Sequence, residues 1–302
     1  MNMKNIELRA FKEAVKDLGF RGMVVYQDGK ELLHYQAQPE ERQNQYSVTK
    51  SFTSTAVAFA VQEGLFALDD YVLDHFREDA PENPSENLKK MKLRHLITMS
   101  MGFENPMLMG AMRPKMVEKD WVKFVLRADV VHEPGTRFQY NNAGPYLLGI
   151  LVQRKAGCSL IEYLSPRLFW PLGIPVPESE KDPLGNTFGA GGLQINVSEL
   201  AKFGQFYLQK GNWEGRQMLP ETWFEEATAP KIEADEGDEE IGHHYAYLFW
   251  TMPDGMYRAD GKNGQYCVVY PKKNAVVAVN SMETKREKDI LRAVVRTILP
   301  QL

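Results

Sequence analysis

Three short polar clusters in this 302-residue chain carry side chains that could perform acyl transfer together. The first is Ser47-Val48-Thr49-Lys50. A helical turn takes about 3.6 residues, so Ser47 and Lys50 project from one face of the helix that the sequence predicts from Ser47 onward. Between Ser51 and Gln62 no side chain ionises, and the segment reads as a helix buried on nearly all sides. Lys50 is its anomaly. Burial disfavours the ammonium and lowers its pKa, which lets the amine take a proton at neutral pH. The helix N-terminus adds partial positive charge that favours a developing anion. Together these residues have the layout of a serine nucleophile with a base beside it. Alone the pattern is weak, because a chain of this length holds on the order of one such spacing by chance. It fits equally a helix-capping serine and a solvated lysine.

The second cluster is Tyr140-Asn141-Asn142, between the Pro134-Gly135 turn and an apolar-periodic helix expected from Pro145. The third is Gly261-Lys262-Asn263-Gly264, a turn after which Gln265 opens a strand. The elements that must position these clusters are legible in outline. Ile6, Leu8, Phe11, Ala14, Val15 and Leu18 make one apolar stripe, and Gly19 sits where a helix cap is expected. Two strands follow, joined at Asp28-Gly29, a strong hairpin signal. Met91–Phe103 has a helical pattern with a glycine stop, and Met107, Met109, Met112 and Met116 read as an adaptable loop wall. A helix through Leu208 has Ser198 as its expected N-cap. The acidic run from Glu233 to His244 reads as a solvated loop between lobes. Strands then return from Tyr245, and an amphipathic helix closes the chain. The expectation is an α/β (α+β) unit over 1–302. An antiparallel sheet from 1–66 and 236–302, flanked by the N- and C-terminal helices, carries a mainly helical lobe at 67–235.

Composition narrows the function. With 36 Lys plus Arg against 40 Asp plus Glu, net charge −4 and pI near 5.9, the chain lacks the basic surface that nucleic acid requires. No apolar run approaches the roughly 18 residues of a membrane span, and the N-terminus has no signal-peptide pattern, which predicts a cytoplasmic protein. Cys158 and Cys267 are too few for a disulfide framework or a zinc site. Adjacent His243 and His244 diverge in an extended chain, so no metal and no cofactor are expected. A G-x-S-x-G elbow is missing, and the run from Gly255 to Lys262 is one residue too long for a phosphate-binding loop.

As SVTK, YNN and KNG, in that order, the clusters resemble the motifs of the serine beta-lactamase and penicillin-binding-protein-like superfamily. The branch most similar contains class C beta-lactamases, esterases and D-peptidases. GLFALDDYV, LRHLITMSMG, EPGTRFQYNNAGPYLLG, GAGGLQINVSELAKFG and GKNGQYCVVYPKKNAVVAV resemble family segments too, so the similarity covers nearly the whole chain beyond the first helix. The resemblance implies that Ser47 attacks a carbonyl carbon to give an acyl-enzyme that water hydrolyses. Lys50 and Tyr140 would share the proton transfers, nearby cations favouring the anionic phenol. Asn142 would contact substrate and accept from Lys50. Backbone N–H groups of Ser47 and Gln265 would form the oxyanion hole, with Gly264 allowing close approach. Lys262 would attract an anionic group on a small-molecule substrate. Asn263 stands where penicillin-recognising members carry Thr, so weak beta-lactam turnover is expected from a small ester, amide or D-amino-acid peptide hydrolase. A non-catalytic relative using the same cleft for ligand or partner binding is the alternative; the oligomeric state stays open.

Overall fold

The structure is a computed structural model that describes residues 6–302, without the side chains of residues 235–237. Helix α1 (Arg9–Val15) leads into β1 (Phe20–Gln27) and β2 (Lys30–Gln36). Asp28 and Gly29 join the strands at φ of 52° and 73°, the positive values that a tight two-residue hairpin turn requires. Gly19 is not the expected left-handed cap. It lies against the main chain of Met282 and Glu283, where an added Cβ would come within 2.8 Å of backbone, so glycine is required by close approach.

After β3 (Gln43–Asn44) a 3₁₀ turn spans Tyr46–Val48 and runs into α2 (Thr49–Gln62). Every residue of α2 from Thr49 to Ala60 is buried, as its uncharged sequence requires. The helical lobe continues through α3 (Val72–His75), α4 (Glu86–Lys90), α5 (Leu93–Ile97) and α6 (Trp121–Leu126). Helix α7 (Ala143–Ala156), which packs on α2 and α5, and α8 (Leu160–Leu164) complete this layer. Strand β4 (Gln194–Ile195) pairs with β3 and precedes α9 (Val197–Leu208). Asn196, not Ser198, caps α9. Its Oδ1 accepts from Glu199 N at 2.8 Å while the Glu199 carboxylate accepts from Asn196 N at 3.0 Å. This reciprocal pair satisfies two orphan donors, which Ser198 inside the helix could not do.

A small hairpin, β5 (Asn212–Trp213) and β6 (Arg216–Gln217), and α10 (Glu221–Thr228) lead back to the sheet. The acidic run departs from expectation, because it builds β7 (Ile232–Asp238) and β8 (Gly242–Tyr245) instead of a loop. Two of its carboxylates pair with the last helix: Asp238 accepts from Arg292 Nη2 at 2.7 Å and Glu240 from Arg296 Nε at 2.6 Å. Strands β9 (Trp250–Thr251), β10 (Tyr257–Gly261), β11 (Gln265–Tyr270) and β12 (Ala275–Ser281) follow, then α11 (Glu287–Thr297). The eight-stranded sheet has the order β2-β1-β12-β11-β10-β9-β8-β7 with antiparallel pairings, so the chain's two ends meet at β1 and β12. Side-chain alternation divides its faces. Met23, Val25, Tyr266, Val268 and Val277 pack with Phe11, Ile290, Leu291 and Val294 of α1 and α11. Val24, Ala259, Cys267, Val269 and Val276 face the core shared with α2 and α9. The antiparallel sheet flanked by terminal helices, with a mostly helical lobe, is the α/β arrangement anticipated from the sequence.

Candidate active site

The 3₁₀ turn before α2 presents Ser47 half-buried at the wall of a cleft of about 570 Å³. Lys50, one turn later, is 1% exposed. Its Nζ donates to Ser47 Oγ at 2.8 Å and to Ala190 O at 2.7 Å. Burial, and then the positive charge of Arg113, push the ammonium down to about 7, while Asp260 pulls the other way. A lysine so placed is populated in its neutral form at physiological pH and can accept the serine proton.

Tyr140 and Asn142 come from the loop immediately before α7, and both line the same cleft. Asn141 shapes this loop: its Oδ1 accepts from Ala143 N at 2.9 Å and from Met107 N at 3.0 Å, tying the methionine-rich wall to the helix start. The Tyr140 ring lies 5.1 Å from Lys50 Nζ and stacks on Trp250, with centroids 6.1 Å apart. Asn142 does not accept from Lys50. Lysine reaches the Ala190 carbonyl instead, and Asn142 Nδ2 donates to Leu108 O at 2.9 Å, leaving its buried Oδ1 without a partner among the described residues.

The β10–β11 hairpin is arranged differently from the expected third motif. Of its four candidate residues only Lys262 lines the cleft, exposed and without an ion-pair partner among the described residues. Asn263 and Gly264 form the positive-φ tip of the turn, at 65° and 85°. Gly264 packs toward Ser281 and Ile290. Gln265 is fully buried: its Oε1 accepts from Gln43 Nε2 at 2.6 Å and its Nε2 donates to Ser281 O at 2.5 Å. The Gln265 side chain therefore ties β11 to β3 and β12, and Gln265 does not line the cleft.

Arg258 and Asp260, two positions apart on β10, take the place given to the turn residues. Arg258 Nε donates to Asp260 Oδ2 at 2.8 Å, and its guanidinium lies 5.5 Å from the Trp250 ring centre. Of β10, strand β9 pairs only with Tyr257 and Arg258, so the outer edge of β10 beyond them has no strand partner among the described residues. Gly261 on that edge packs so closely on the turn that carries Ser47 that a Cβ would stand 2.3 Å from Gln45 O. Across the cleft, Arg113 pairs with Glu180 and lies over the Phe188 ring at 4.2 Å. Sequence reasoning missed Tyr46, Arg113, Arg258 and Asp260. The alternating Arg-x-Asp in a predicted strand was the readable signal, because two charges on one strand face seldom sit in a core.

Comparison with known proteins places the chain in a family. The beta-lactamase family profile matches residues 9–297. An uncharacterized protein of Alkalihalophilus pseudofirmus is 24% identical over 270 residues, 78% of this chain and 72% of that protein. Lovastatin esterase of Penicillium rubens is 27% identical over 203 residues, and the match spans 52% of this chain but only 49% of the esterase. Among solved structures, a candidate 6-aminohexanoate-dimer hydrolase from Bacillus anthracis superposes with a TM-score of 0.81 at 19% identity, covering 99% of this chain and 85% of the other. Among the described residues no helix is long and apolar enough to cross a membrane. With its fold shared end to end and the family profile spanning nearly all of it, the chain belongs to the beta-lactamase family, in the superfamily of serine beta-lactamase-like and penicillin-binding-protein-like hydrolases.

Proposed function

We propose that the protein is a serine hydrolase that forms an acyl-enzyme at Ser47 and hydrolyses a small ester, amide or D-amino-acid peptide. The observation that carries this reading is the 2.8 Å contact of Ser47 Oγ with a buried lysine whose ammonium is pushed down to about 7. Neutral Lys50 takes the Oγ proton as the Oγ–carbon bond forms and the carbonyl π pair moves onto oxygen. The resulting oxyanion is met by the backbone N–H of Ser47 and the unpaired edge of β10, the role first given to Gln265. Tyr140 hands its proton to the departing alcohol or amine and regains one from the Lys50 ammonium. Water then repeats the sequence against the acyl-enzyme and releases the acid.

The esterase named among the relatives supports ester substrates, and Lys262 supports an anionic group on them. Asn263 has no hydroxyl and its Nδ2 donates to the Tyr46 hydroxyl at 3.0 Å, so no hydroxyl from that position receives a beta-lactam carboxylate, and beta-lactam turnover is expected to be weak. A screen of short-chain esters, D-amino-acid amides and a chromogenic cephalosporin tests the reading. Turnover of an ester or amide with a pre-steady-state burst, lost in Ser47→Ala, is the expected result. Ligand binding with no turnover and no covalent adduct would mark a non-catalytic relative instead.

A further inference from the structure

Tyr46 stands directly before the nucleophile with φ of 47°, an outlier for a bulky residue. Its main chain is held on both sides. The N–H donates to Asn44 Oδ1 at 2.7 Å, and the carbonyl accepts from Thr49 Oγ1 at 2.7 Å. This conformation places the Tyr46 side chain in the cleft wall beside Ser47. There the phenolic oxygen accepts from Asn263 Nδ2 at 3.0 Å. A phenol has a single O–H to give. With an amide N–H occupying the oxygen, that proton points elsewhere, and it has no acceptor among the described residues. Asn263 is itself 6% exposed, and its main chain is held by Glu283 N, which donates to the Asn263 backbone carbonyl at 3.1 Å, while the side-chain Oδ1 has no partner among the described residues.

We propose that Tyr46 is a substrate-binding residue whose hydroxyl, oriented by Asn263, donates to an oxygen on the acyl chain of the substrate, selecting acyl groups that carry a second carbonyl or carboxylate. The proposal rests on the Ser47 acyl-enzyme reading. The acyl group is the part that stays bonded to Ser47, one residue from this donor, through both halves of the reaction. Asn263 is then a positioning residue. The hydroxyl missing at position 263 is supplied from the nucleophile turn.

The test compares p-nitrophenyl esters of N-acetyl-β-alanine and of hexanoic acid, which match in length and differ by one amide. Tyr46→Phe keeps the ring and is expected to lower kcat/KM for the amide-bearing ester about three- to tenfold, through KM, while the hexanoyl ester changes by less than about twofold. Asn263→Asp can only accept, so it draws the phenolic proton to itself and reproduces the same selective loss. Equal losses on both esters, carried by kcat, or no loss on either, overturns the proposal. A second measurement separates it from the catalytic reading: calorimetric titration of Ser47→Ala with N-acetyl-β-alaninamide and hexanamide. Weaker binding of the first ligand alone on adding Tyr46→Phe supports the Tyr46 role even if no ester is turned over, in which case the Ser47 reading fails. Ester turnover with no such preference leaves Ser47 standing and removes Tyr46.

Discussion

The turn at Tyr46–Lys50 and the hairpin at Arg258–Gln265 border one cleft, yet they present their side chains by different rules. In the first, helical spacing alone sets Ser47 beside Lys50, and a 2.8 Å hydrogen bond results. In the second, what faces the cleft depends on strand register and on where the chain turns. A shift of one residue reverses every side chain on a strand. Arg258 and Asp260 thus face the cleft, while Gln265 at the start of the return strand is buried among Gln43 and Ser281. On the proposed mechanism the helical element supplies the reacting atoms. The hairpin supplies charge at its edge and rigidity at its base.

Variants can break this contrast. The largest effect is expected from Lys50→Met, which keeps the buried stem and removes the proton acceptor. A loss of about 10²–10⁴ in kcat/KM on a chromogenic ester, with folding intact by circular dichroism, is the expected outcome. Gln265→Ala should act on stability instead. It removes the Gln265 bonds to Gln43 Nε2 and to Ser281 N and O, leaving the buried Gln43 amide only its 3.2 Å bond to the Ser281 carbonyl, and should cost about 1–3 kcal/mol in urea unfolding, with kcat little changed in the folded fraction. If Gln265→Ala instead abolished turnover at unchanged stability, the hairpin base would belong to the reacting site.

A smaller effect sharpens the electrostatics. The proposed mechanism requires neutral Lys50, so kcat/KM should rise as pH passes about 7. Arg113 lowers that ammonium and Asp260 raises it. Arg113→Gln should therefore move the acidic limb of the profile to higher pH, and Asp260→Asn should move it to lower pH, as measured from pH–rate profiles. Shifts in the same direction would mean that the limb reports another group. The smallest effect is expected at the exposed Lys262. Lys262→Gln should raise KM only a few-fold for a carboxylate-bearing ester, on the order of an exposed ion pair, and leave a neutral ester unchanged.

The sequence was most legible where local chemistry dictates structure. The uncharged run after Lys50 announced a buried helix, Asp28-Gly29 a hairpin, and the Tyr140–Asn142 cluster a loop before a helix. It was least legible where distant partners decide. The acidic run reads as solvated until Arg292 and Arg296 of α11 are known to meet Asp238 and Glu240. Asn263 reads as a substrate contact until the fold brings Tyr46, 217 positions away, to its amide. Gly19 reads as a cap until β12's exit strand segment is seen against it. In each case the missing information is long-range pairing, which propensity and periodicity do not encode.

The nucleophile itself offers the most direct test. After reaction with a fluorophosphonate, peptide mass spectrometry should find a single adduct on the peptide containing Ser47, absent from Ser47→Ala, which should also lose ester hydrolysis. An unlabelled wild-type protein, or a Ser47→Ala variant that hydrolyses esters at the wild-type rate, would contradict an alcohol activated by Lys50.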